Sequence, residues 1–194
     1  MRALAMRALP RSTPAETEIM EATREALEAA APWAELFHAY GPATDTPDHL
    51  FALVAGTAAE RREGLAHLSS AILHQGTPWP ATAPVAEVLV GLLRAGHLRP
   101  VQEEISRFFT EIVEISEQVA AATASRAELE VEANNSALDA WIAATAPLAR
   151  TDRDAAETAY EALFEDDVLA AALLARAYLG CVRVAPTLRA AIQS

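Results

Sequence analysis

Residues 57–73 read TAAERREGLAHLSSAIL, and this stretch decides the fold class. Thr57 followed three residues later by Glu60 is a capping box: the hydroxyl accepts the Glu60 amide while the carboxylate reaches back to the Thr57 amide. Behind it Leu65, Leu68 and Ile72 recur at spacings of three and four, with Leu73 adjoining, which is the apolar stripe of an amphipathic helix. The alternation of a half-buried strand is missing.

The same grammar extends outward in both directions. Thr13-Pro14-Ala15-Glu16 is a second capping box with proline at the first helical position, and its helix is expected to run to about Ala31. Pro32 opens a short helix carrying Trp33, Leu36 and Phe37, closed by Gly41 as a left-handed cap. Thr46-Pro47 starts another, with Leu50, Phe51, Leu53 and Val54 apolar before Gly56. Beyond the breaker-rich Gln75–Pro80 segment, Pro84 starts a helix ending near Gly96, and Pro100 starts a long one through Val119. Ser125 with Glu128 caps the next, which breaks at Asn134-Asn135, and Ser136 caps its successor as far as Pro147. Thr151 with Asp154 caps a helix through Tyr160 and Phe164. Asp166 or Asp167 begins one up to Gly180, and Pro186 opens a short terminal helix.

About nine or ten such helices, too short to stand alone in water, must be held by packing. Start signals near residues 57, 100, 125 and 151 suggest a hairpin unit of about 40–50 residues, the range of HEAT or armadillo repeats. The expected fold is all-α: antiparallel helical hairpins stacked as a short HEAT-like α-solenoid over residues 13–194, behind a flexible basic leader at 1–12. The 46 alanines against 7 glycines fit close helix stacking.

Charge narrows the function. The 15 cationic residues are all arginine, and 27 acids leave a net charge of -12. Arg2, Arg7 and Arg11 make the leader +3, so residues 13–194 carry -15. That body lacks the dense basic surface that phosphate neutralisation needs, so no nucleic-acid partner is expected. A helix-turn-helix regulator is excluded by one Arg against eight acids in residues 13–50. With no lysine and no Gly-rich phosphate loop, a nucleotide hydrolase is excluded too. A single cysteine rules out a disulfide framework. The leader lacks the apolar core of an export signal, and no apolar run reaches the roughly 18 residues that span a bilayer. A cytoplasmic protein with no membrane partner is the expectation.

His38-Ala39-Tyr40-Gly41-Pro42-Ala43 with Thr46-Pro47-Asp48-His49-Leu50, and Leu73-His74-Gln75-Gly76-Thr77 followed by Ala81-Thr82-Ala83-Pro84-Val85, carry a family resemblance. Over about residues 33–94 the chain resembles a group of actinobacterial-type HEAT-repeat proteins, in which an HQGT…ATAP loop joins two helices of the first repeat. The resemblance implies a helical-repeat fold and a protein–protein interaction role. The long helix from Pro100 and the C-terminal half depart from that pattern.

The binding residues expected from this reading are His38, Tyr40, His74, Gln75 and Trp79. The imidazole and amide offer donors and acceptors, and the indole offers a flat face with one N–H. Together they can line a polar-aromatic pocket between neighbouring hairpins. The plainer reading has His74 and Gln75 satisfying free backbone groups at a helix end while Trp79 covers core. Glu60, Glu63 and His67 have helical ligand spacing but no completing partner, so no metal and no cofactor are expected. Glu165-Asp166-Asp167 reads as charge at a helix N-terminus. Cys181 has no adjacent base, so no catalytic residue is assigned. The leading expectation is a non-catalytic HEAT-like interaction module binding a protein or peptide partner, basic if net charge decides, of the immunity or antitoxin-like kind. The alternative is a small-molecule-binding or enzymatic helical protein with its pocket around the His74–Trp79 loop.

Overall fold

Described by a computed structural model, residues 14–121 and 123–193 form nine α-helices and two minimal β-hairpins. The helices are α1 (Pro14–Ala29), α2 (Thr46–Ala55), α3 (Ala58–His67), α4 (Thr82–Arg94) and α5 (Gln102–Ala121), then α6 (Thr123–Ala133), α7 (Ser136–Thr151), α8 (Arg153–Leu163) and α9 (Asp167–Ile192). Strand β1 (Phe37–His38) pairs antiparallel with β2 (Gly41–Pro42), and β3 (Leu73–His74) with β4 (Thr77–Pro78). The all-α class holds.

Local chemistry explains the boundaries. The Thr57–Glu60 box forms as its spacing demands, with Thr57 N–H donating to Glu60 Oε2 at 2.6 Å and Glu60 N–H to Thr57 Oγ1 at 3.3 Å. Asp166 caps α9, accepting from Val168 and Leu169 N–H at 3.0 and 3.1 Å. Gly96, at φ +77°, ends α4: its N–H donates to the Leu93 carbonyl and the next, His97, to Leu92, which is the Schellman arrangement. The Thr13 cap lies outside the described residues.

Several boundaries differ from the sequence reading. Residues after Pro32 make only a 3-10 turn, Trp33–Glu35, and Phe37 and His38 are strand; Gly41, at φ +132°, belongs to the hairpin and caps no helix. Leu73 is likewise strand, because α3 widens into a π-turn at Leu68–Ile72 before the chain reverses. Residue Ser125 lies inside α6. Asn135 caps α7 in place of Ser136, and Asp152 caps α8 in place of Thr151. Two helices run through their prolines: α7 passes Pro147, and α9 passes both Gly180 and Pro186 to reach 26 residues.

Helix α9 survives those breakers because its neighbours hold it. It packs along α4, α5 and α6 and touches α7 and α8. Gly180 lets it come close to α4: a Cβ there would stand 3.1 Å from the Ala83 Cβ. By length and composition α9 is apolar enough to cross a bilayer, with mean hydropathy 1.7 over 18 residues, which corrects the expectation that no run is long enough. Its Leu173, Cys181, Val184 and Leu188 are all but fully buried within this fold.

The main core gathers Leu50 and Leu53 of α2, Leu89 of α4, Ile105, Phe109 and Ile112 of α5 and Leu188 of α9. A second cluster centres on Phe37, whose ring stacks on Tyr160 at 5.5 Å and leans on Trp141 at 5.0 Å, with Leu138, Leu163 and Leu173 around it.

Candidate functional site

The two hairpins interlock between these cores. Ala39 N–H donates to the Ala71 carbonyl, and Ala81 N–H donates to the Phe37 carbonyl, each at 3.0 Å. The second reversal turns on Gln75 at φ +52° and Gly76 at φ +77°, the two left-handed residues that a tight primed turn requires. Thr82 secures its base, accepting from Trp79 N–H at 2.8 Å and donating to the Ile72 carbonyl.

This interlock sets a histidine cluster. His38 is 2% exposed, its Nδ1 accepting from Tyr40 N–H at 3.1 Å. Nε2 must therefore carry the proton, which it donates to Asp45 Oδ1 at 3.0 Å. His67 Nε2 lies 3.1 Å from the Thr46 hydroxyl, its ring stacks on His49 at 4.0 Å, and the His38 ring meets it edge-on at 5.3 Å. Burial is the chief reason that the His67 pKa falls to about 3, with the neighbouring His49 adding to it and Asp45 opposing. Burial alone would raise the Asp45 carboxyl, yet the hydrogen bond from His38 and the charges of His38, His67 and His49 outweigh it and bring it down to about 2.

Ligand atoms of His38, Asp45 and His67 lie within 4.8 Å of one another, a set with the composition of a metal centre. The wiring points elsewhere. A ligating histidine donates its remote N–H outward to an acceptor. The remote nitrogen of His38 instead faces a backbone donor, which keeps the proton on the nitrogen that a metal would need. The cluster is two hydrogen-bonded pairs, His38–Asp45 and Thr46–His67, joined by ring contacts that tie the first hairpin to α2 and α3.

Of the five residues expected to bind, three come together: the Tyr40 ring lies 6.2 Å from His38 and 5.5 Å from His74. His74 Nδ1 donates to the Ser70 carbonyl of the π-turn at 2.6 Å, with the Tyr40 hydroxyl 3.3 Å away. Gln75 is exposed at the turn. Trp79 is half-buried and joins the other core, 6.3 Å from Tyr160 and 5.9 Å from Phe164, with its Nε1 buried and unpartnered. Asp45, His49 and His67 were not singled out with them; the signal was Asp45 standing directly before Thr46-Pro47, seven residues after His38.

Residues missed by the sequence reading line a groove of about 790 Å³ between α7, α9 and the start of α4. Its apolar wall includes Pro84, Ile142, Pro147 and Leu179, and three of the chain's arginines, Arg150, Arg176 and Arg183, edge it beside Glu35 and Asp139. Arg176 is structural: it donates to the carbonyls of Ala133 and Asn135 at 2.8 and 3.1 Å and pairs with Asp139 at 2.7 Å. Arg150 reaches Glu35 only at 4.0 Å. Arg183 has no hydrogen-bond or ion-pair partner among the described residues. No lone motif marks this site, since its residues are scattered from Pro32 to Arg183.

No family model, no curated protein and no solved structure matches this chain.

Proposed function

We propose that this chain is a non-catalytic helical interaction module, with the α7–α9 groove as the surface that receives a protein or peptide partner. The observation that carries the reading is the groove itself: about 790 Å³, apolar along its wall and with polar groups at its edge. Tyr40, His74, Gln75 and Trp79 are not part of its lining. With the His38 cluster already hydrogen-bonded within itself, this favours an interaction role over a pocket at the His74–Trp79 loop.

A HEAT-like relationship is part of the proposal for the helical pairs α2–α3 and α7–α8, each of which packs as a neighbouring hairpin. Helix α9 lying across α4, α5 and α6 would then close the stack, where an open solenoid touches only adjacent repeats. The net charge of -12 supports an overall basic partner, drawn in by long-range attraction, as an immunity or antitoxin-like protein would require. Selection of random 12-residue peptides on the immobilised full chain tests the reading. Ala143, exposed on α7 and lining the groove, is the position to obstruct. Enriched peptides should lose at least tenfold in affinity for Ala143→Gln; peptides that bind both chains equally would place the surface elsewhere.

A further inference from the structure

The groove carries a charge sign opposite to that of the molecule. Three arginines against two acids make it locally +1 in a chain of -12. Two of those arginines are already committed, Arg176 to Asp139 and two carbonyls, and Arg150 loosely to Glu35. Arg183 is committed to nothing among the described residues. Its Nη2 stands 4.0 Å from where a Cβ on Gly180 would be, so the missing side chain leaves room for the guanidinium to lie back along α9 beside the apolar wall.

We propose that the groove takes an apolar peptide segment bearing a carboxylate, and that Arg183 is the residue that reads it, with Arg150 drawn from Glu35 to assist. This rests on the interaction reading above and names the chemistry of the docking segment. A planar guanidinium presents paired N–H donors that match the two oxygens of a carboxylate, and its stem can lie along the apolar side chains of the segment. The carboxylate supplies what Arg183 lacks, and the segment's apolar residues cover Ile142 and Leu179. Net charge and groove charge then act at different ranges: the acidic body draws in a basic partner, and the groove selects an acidic site on it.

Three peptide libraries of one design test this, sharing their apolar and randomised positions and differing only at one constant position held as Glu, Gln or Arg. They are panned against the full chain and against Arg183→Gln, Arg150→Gln and Ala143→Gln. All three positions are exposed helix surface, and circular dichroism checks each variant for native helicity. Enrichment from the Glu library should exceed that from the Gln and Arg libraries by at least fivefold on the native chain. Arg183→Gln should abolish that preference while apolar binding persists, and Arg150→Gln should weaken it. Binding that is lost in Ala143→Gln but indifferent to Glu, Gln or Arg overturns this inference and leaves the interaction reading standing. An Arg-library preference overturns it in favour of a basic docking segment. Absence of any binding sensitive to Ala143→Gln overturns both.

Discussion

The Tyr160 hydroxyl donates a 2.8 Å hydrogen bond to the backbone carbonyl of His38, across 122 residues of chain. Burial pushes the phenol well above its ordinary pKa, so it stays a donor at any working pH. Through it α8 clamps the hairpin at His38, the residue whose side chain organises the histidine cluster. Removing it in Tyr160→Phe deletes the buried bond that ties α8 to the hairpin, at a cost of about 1 kcal/mol. The urea midpoint should fall with its slope unchanged; an unchanged midpoint would mean the clamp contributes nothing.

The histidine cluster makes stability depend on pH in a stated direction. His67 titrates near 3 in the folded chain against 6.5 ordinarily, so between those values the unfolded chain binds a proton that the native one does not. Its contribution is complete above about pH 6.5 and is lost as pH falls toward 3. Asp45, lowered from 3.8 to about 2, removes more below 3.8. The slope from His67 approaches about 1.4 kcal/mol per pH unit. Urea midpoints of His67→Gln, measured from pH 7 to 4.5 with chelator present, should be flatter with pH than those of the native chain. Parallel curves would assign the dependence to other groups.

Gly180 reads in the sequence as a helix end, and in the structure it is a helix crossing. The two roles predict different mutants. Leucine at a helix C-cap costs little unless φ is positive, but at the Ala83 contact its Cβ would stand at 3.1 Å. Overpacking there should cost about 1–3 kcal/mol in Gly180→Leu, more than the helix propensity it gains. A Tm at or above the native value would contradict the close approach of α4 and α9.

Arg176 bridges the α6–α7 junction by two carbonyl bonds and one ion pair. Lysine keeps the charge but not the planar fork. Arg176→Lys should therefore speed amide exchange across residues 133–140 several-fold while leaving α2 and α3 unaffected. Uniform exchange across the chain would show that the junction does not depend on the guanidinium.

How much of this the sequence made legible follows from the range of the interactions involved. Thr57, Asp166 and Gly96 act within one turn, so their caps were readable from spacing. Pro186 and Gly180 also act locally, but reading them as helix boundaries fails, because burial of Val184, Ala185 and Leu188 against other helices carries α9 through both. Residues Phe37 and His38 fell into a helix reading because a two-residue ladder has no periodicity to detect. His38, Tyr40 and His74 stand out in the sequence by residue type beside two turns, and the meeting of their rings is what the structure adds. His67 joins His38 only through the turn between α2 and α3. Arg183 and Arg150 line one groove formed by segments as distant as Pro32 and Arg183, for which a single sequence carries no local signal.

Methyl NMR with a groove-selected peptide tests the central claim most directly. On titration, the Ile142 and Leu179 methyls should shift in proportion to peptide bound, while Ile112, buried in the main core, stays in place. Shifts centred on Leu73 and Ile72 beside the His74 hairpin, with Ile142 and Leu179 unmoved, would contradict the groove and return the site to the Tyr40–His74 face.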